Sequence, residues 1–300
     1  MVAGTRNFFA RLRMTNVPCV GNGETNLVLQ VIYHPDYEKD FSPGTIEAPQ
    51  RIRAIRDSLQ KYEPFIKPQP ASEADLYLVH EPAMVARIRS RRLLLQAVLF
   101  AVGGAIDCAK LALANRPAFG LVRPPGHHAD QSGSWGFCYV NNIAIAVRKL
   151  RQELDIRWVY IIDLDHHLGD GTQRIFAYDS EVSVKNVLAV ERDKYLEQVQ
   201  HVLKVIRKAD LLAVSMGFDT YEKDLGGLLK TEDYRLLGSW LRQASERLCG
   251  GRRFAILEGG YYLPDLGKNV LAFCEGFGGE TGEMSEMSET SEKSETGERR

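Results

Sequence analysis

The chain has 300 residues, 44% hydrophobic and 26% charged, proportions that argue against a disordered, collagenous or membrane-embedded protein. Lys plus Arg total 38 against 39 for Asp plus Glu, which argues against a surface built to grip nucleic acid or anionic lipid, so neither is expected as a partner. The balance hides an asymmetry: residues 280–300 hold seven Glu against Lys293, Arg299 and Arg300, so the body is mildly basic and the tail acidic.

Residues 1–27 carry Arg6, Arg11 and Arg13, no acidic residue before Glu24, and no apolar core of signal-peptide length. They read as a disordered extension, or as a start assigned too early with Met14 as an alternative. From Val28 the pattern alternates. Short, nearly continuous apolar runs at 28–33, 118–122, 158–163, 211–215 and 254–257 predict strands covered on both faces. Longer amphipathic runs at 49–62, 92–115, 141–154, 194–208, 231–248 and 263–273 predict helices. The most apolar stretch, Leu93 to Ile106, is broken by Gln96 and Gly103–Gly104 and falls short of the roughly 20 residues of a membrane span, so a buried helix is expected. Such alternation predicts an α/β fold, a single three-layer α/β/α domain with a mainly parallel sheet over residues 28–277. From Gly278 the composition turns low-complexity, with Glu at every third position from 280 to 298; that step builds no helical stripe, so an acidic disordered tail is expected over 278–300. Five cysteines without a C-x-x-C pair read as reduced thiols of a cytoplasmic protein.

Parallel sheets place their chemistry beyond the carboxyl ends of the strands, and four such ends hold the reactive residues. The strand 158–163 runs on into Asp163-Leu164-Asp165-His166-His167-Leu168-Gly169-Asp170. Alternation along an extended chain puts Asp163, Asp165 and His167 on one side, which selects His167 over His166 for a polar site. A carboxylate and an imidazole two residues apart form half of a catalytic metal site, and this donor pair suits zinc. Asp219, in Met216-Gly217-Phe218-Asp219 after the next strand, could supply a third ligand. Arg123-Pro124-Pro125-Gly126-His127-His128 presents two imidazoles from a stiff turn, and Asp163 and Asp170 are spare carboxylates able to orient one each. Glu258-Gly259-Gly260-Tyr261 ends the last strand with a tyrosine able to donate to an oxyanion.

Taken in order, RPPGHHA, GFCYVNN, DLDHHLGDGT, GFD and EGGY resemble the histone deacetylase and acetylpolyamine amidohydrolase family, which has the arginase–deacetylase fold, over Val28 to Phe277. The short bacterial and archaeal members are the nearest in character. The resemblance implies hydrolysis of an acetylated amine with one Zn2+ per chain. It implies that Asp165, His167 and Asp219 bind the zinc and that His128 is general base and acid, with His127 as its electrostatic partner. Asp163 would pair with His127, Asp170 with His128, and Tyr261 would polarise the acetyl carbonyl. The Gly136 carbonyl would accept the substrate N–H, and Phe137 would wall the channel.

Two departures matter. Leu168 stands where the family's second histidine would be, and the stretch from His167 to Asp219 is much shorter than in the eukaryotic deacetylases. A more open site follows, and the family's monovalent-cation site is left open. An arginase-like two-metal enzyme is disfavoured because Gly169, Thr220 and Tyr221 stand where its extra carboxylates would be needed. Acetyl-lysine and acetylpolyamine offer the same acetamide on an aliphatic stem. Leu225 occupies a place that polyamine-selective relatives can fill with an acidic residue, which favours acyl-lysine, with a polyamine or other small amide as the alternative. A catalytically inactive module binding acetylated ligands is the alternative of a different class. Oligomeric state is not legible.

Overall fold

The computed structural model describes residues 29–279, so the expectations for 1–27 and for the acidic tail from 280 onward lie outside the described residues. Six strands form one sheet: β1 (Gln30–Ile32), β2 (Ala118–Gly120), β3 (Val159–Asp163), β4 (Val182–Asn186), β5 (Leu211–Met216) and β6 (Arg253–Leu257). Every pairing is parallel, in the order β1-β2-β6-β5-β3-β4. The five expected strands are present. β4 was not expected, because VSVKN alternates weakly on an edge whose outer residues stay exposed.

The helices are α1 (Pro49–Ser58), α2 (Glu73–Leu76), α3 (Pro82–Arg89), α4 (Arg92–Leu113), α5 (Asn142–Glu153), α6 (Asp170–Ile175), α7 (Arg192–Val205), α8 (Thr231–Cys249) and α9 (Leu263–Gly278). The last reaches one residue into the segment assigned to the tail. Asn141 starts α5 by accepting the Ala144 N–H at 3.0 Å, and Gly250 ends α8 in the left-handed conformation at φ 60°.

The apolar stretch, expected to be too short for a membrane span, lies within a longer helix. α4 has 22 residues and is long and apolar enough to cross a membrane, so length does not argue against a span. Its burial carries that argument instead: Ala97, Val98, Ala101, Val102, Ala105 and Ala109 are enclosed, and the helix packs on the sheet and on α5. Its small residues allow the close approach. A Cβ at Gly103 would stand 2.0 Å from the Gln69 carbonyl oxygen.

β3, β5 and β6 are buried at every position, the signature of a sheet covered on both faces. The consequence for function lies in the strand order. β2, β6, β5 and β3 are consecutive neighbours, and each runs directly into one of the four reactive segments. Parallel direction then lines those segments up along one edge of the sheet, at its centre.

Candidate active site

β3 ends at Asp163, so the strand alternation used to place the following residues does not continue. The chain bends, yet the grouping it predicted is present. Asp163 and Asp165 are buried, His167 is half-exposed among them, and His166 lies outside, against the Gly226 backbone. Backbone N–H groups orient the carboxylates: Asp165 N donates to Asp163 Oδ1 at 3.1 Å, His167 N to Asp165 Oδ1 at 2.9 Å, and Gly259 N to Asp165 Oδ2 at 2.8 Å. His166 N donates to Asp219 Oδ1 at 3.1 Å. The glycine loops make this packing possible. A Cβ at Gly217 would meet Asp165 Oδ2 at 2.1 Å, and one at Gly259 would meet Asp219 Oδ2 at 2.8 Å.

The ligand atoms of Asp165, His167 and Asp219 lie within 4.8 Å of one another. His167 Nδ1 sits 3.2 Å from Asp165 Oδ1 and 2.9 Å from Asp219 Oδ2. Asp219 Oδ2 is nevertheless buried with no hydrogen bond of acceptable geometry, an orphan acceptor aimed into the cluster. The hydrogen bond to Asp165 and the close charge of Asp219 push the His167 pKa up to about 10, and burial followed by repulsion from Asp165 pushes that of Asp219 upward. Two carboxylates and one imidazole around an orphan oxygen fit a divalent cation, and the mixed N/O donor set fits zinc.

The histidine pair stands beside this cluster. His127 Nδ1 is 3.1 Å from Asp163 Oδ2, and His128 Nδ1 is 3.1 Å from Asp170 Oδ1, as expected from the sequence. Their environments drive them apart. Burial alone would deprotonate His127, but Asp163 and then Asp165 outweigh it and hold its pKa well above the ordinary value. Burial and then the charge on His127 lower the His128 pKa to about 4, so the proton of the pair resides on His127. Tyr261 is half-buried, its ring 5.8 Å from that of Phe137 and under the Arg51 guanidinium at 4.8 Å, and burial raises its pKa. Gly136 has φ 60° and its Cα faces the His128 ring, while Leu225 is exposed.

Four residues without an assigned role hold these loops in place. Glu258 is buried and its Oε2 accepts Gly126 N at 2.7 Å and His127 N at 3.2 Å, fixing the histidine turn. Arg51, on α1, donates to the carbonyls of Glu258 at 2.6 Å and Gly260 at 2.5 Å, and its charge is met by buried Glu47 at 2.7 Å. Asp224 Oδ2 accepts the N–H groups of Tyr261 at 2.6 Å and Tyr262 at 2.7 Å. Trp135 lies on His128. EGGY contained Glu258, but nothing local in the sequence marks Arg51 or Asp224, whose partners are distant in the chain.

The model of the histone deacetylase domain matches residues 45–195, half of the chain. The chain belongs to this family. Among its relatives, a protein of Methanothermobacter thermautotrophicus named "Probable deacetylase" is 27% identical over 304 residues, covering 83% of this chain and 91% of the other. Human "Polyamine deacetylase HDAC10" is also 27% identical, over 80% of this chain but only 46% of its own length. The crystal structure of the HDA15 HD domain superimposes with a TM-score of 0.75 at 25% identity, covering 84% of this chain and 91% of that one. The fold is therefore the arginase–deacetylase fold, and the family is one of deacetylases.

Proposed function

We propose that the chain is a zinc-dependent amidohydrolase that removes acetyl groups from acetylated amines, with the acetyl-lysine side chain as preferred substrate. The observation that carries the reading is the Asp165–His167–Asp219 cluster with its orphan oxygen, standing beside two histidines that are each tied to a separate carboxylate. Zn2+ held by those three residues would polarise the acetyl carbonyl and lower the pKa of water toward ~7.

The chain's own residues supply the proton transfers. His128, uncharged and oriented through Nδ1 by Asp170, takes the proton of the attacking water at Nε2 and returns it to the departing amine. His127, kept cationic by Asp163, lends positive charge and keeps His128 neutral. Tyr261 stays protonated and donates its hydroxyl hydrogen to the developing oxyanion. The Gly136 carbonyl takes the substrate N–H, and Phe137 lines the path of the aliphatic stem.

Leu225, exposed beside Asp224, favours acyl-lysine over a polyamine because an apolar side chain gives no attraction to a distal ammonium. The named polyamine deacetylase among the relatives keeps an acetylpolyamine as the second reading. Among the described residues, the buried free thiols of Cys108, Cys138, Cys249 and Cys274 support a reducing, cytoplasmic setting. Acetate release from an acetyl-lysine peptide and from an N-acetylpolyamine, measured side by side on the zinc-loaded chain, tests the assignment. The peptide should be turned over with the higher kcat/KM, and Leu225→Glu should shift the ratio toward the polyamine. Preference of the unaltered chain for the polyamine would overturn the acetyl-lysine assignment.

A further inference from the structure

Trp135 is 51% exposed, an unusual position for the largest apolar side chain, and it is one residue away from the glycine expected to meet the substrate. Its indole stacks on the His128 imidazole with centroids 3.6 Å apart and planes 29° apart. The His127 ring lies 4.0 Å from the same imidazole at 36°. Two rings that near to one centroid cannot share a face, so His128 is held between them. The indole N–H also donates to Asp170 Oδ1 at 3.0 Å, the same oxygen that pairs with His128 Nδ1, while Arg174 holds Asp170 Oδ2 at 3.1 Å.

These contacts divide the labour of orienting one ring. The hydrogen bond to Asp170 fixes where Nδ1 sits but leaves the imidazole free to swing about that bond. Clamping both faces removes the swing, so that Nε2 keeps one direction. The outer clamp must come from a side chain that reaches over the ring from the loop before Gly136, where the close approach of Gly136 itself to His128 Cδ2, 3.1 Å from a built Cβ, leaves no room for bulk.

We propose that Trp135 is a positioning residue for His128, its indole face holding the imidazole in the orientation from which Nε2 exchanges protons. The inference rests on the role of His128 given above. A shift of about 1 Å in a reacting group can cost 10²-fold in rate, so loss of the clamp should appear in kcat rather than in KM.

The test compares Trp135→Ala and Trp135→Phe in the zinc-loaded full chain, with metal content measured for each. Trp135→Ala should lower kcat on the order of tenfold or more with KM nearly unchanged, and Trp135→Phe, which keeps an aromatic face without the N–H, should restore most of it. Proton NMR of the His128 ring gives an independent reading, with its signals assigned by their loss in His128→Gln. The ring current of the aromatic side chain at position 135 should place those signals further upfield in the unaltered chain and in Trp135→Phe than in Trp135→Ala, where only the His127 ring remains over His128. Unchanged kcat in Trp135→Ala, or a raised KM at unchanged kcat, would overturn the proposal, the latter by making Trp135 a substrate platform. Equal damage from both substitutions would overturn the stacking role in favour of the N–H. An inactive unaltered chain would refute the deacetylase reading, and absence of a ring-current difference would then separately refute the clamp.

Discussion

Tyr261 and Asp219 are the two residues at which single substitutions separate the parts of the proposed mechanism. Tyr261→Phe removes one oxyanion donor, a loss that typically costs ~2.7–4 kcal/mol, so turnover should fall 10²–10³-fold while zinc content, measured by atomic absorption, stays at one per chain. Asp219→Asn acts on the metal instead. It removes a buried carboxylate whose Oδ2 has no hydrogen bond, so the metal-free variant should be at least as stable to urea as the metal-free parent. Zinc at a hundred times its Kd should stabilise the parent by about 2.7 kcal/mol and the variant far less. A metal-free variant markedly weaker than the metal-free parent would mean that the carboxylate is structural. At this scale the sequence was informative wherever a residue's partner is local or its motif is compact: His167 was separated from His166, and both histidine–carboxylate pairs are present. Trp135 was not legible, because its importance comes from a ring contact across a turn that spacing does not encode.

Between elements, the histidine turn is anchored by His80, just beyond α2. Its Nε2 is 2.9 Å from Asn141 N, which can only donate, so Nδ1 carries the hydrogen and donates to the Asp130 carbonyl at 2.7 Å. One buried imidazole thus joins the loop after His128 to the cap of α5. Burial lowers its pKa to about 4 from 6.5, so the unfolded chain takes up a proton at higher pH than the folded chain does. Stability present above pH 6.5 should therefore be lost as pH falls toward 4, by about 3 kcal/mol from this group. Urea midpoints at pH 7 and pH 5 should differ less in His80→Gln than in the parent, and equal differences would contradict the assignment. The elements themselves were legible in proportion to their burial. β3, β5 and β6 are continuous apolar runs and were read correctly, whereas edge strand β4 and the short helices α2, α3 and α6 bury too few residues to set up a period.

For the whole molecule, the alternation of strands and helices indicated a parallel sheet but not its order. That β2, β6, β5 and β3 are neighbours is a matter of which crossovers the chain makes, and it is this order that brings RPPGHH, EGGY, GFD and DLDHH to one edge. Arg51 then ties α1 to the EGGY loop across the full length of the domain sequence, with Glu47 shared between it and Arg123 at 2.8 Å. Arg51→Ala leaves Glu47 paired with Arg123 but strips the buried carbonyls of Glu258 and Gly260 of their donor, a loss of about 1–3 kcal/mol for each unsatisfied group, so it should lower the urea midpoint as well as activity. On the proposed mechanism this edge hydrolyses an acetylated amine with His128 moving the proton. The decisive measurement is acetate release from an acetyl-lysine peptide by the zinc-loaded chain, with His128→Ala at equal zinc content beside it. Steady release that falls by at least 10²-fold in the variant is the predicted result. Release undiminished by His128→Ala, or none from the unaltered chain with its zinc bound, would contradict it.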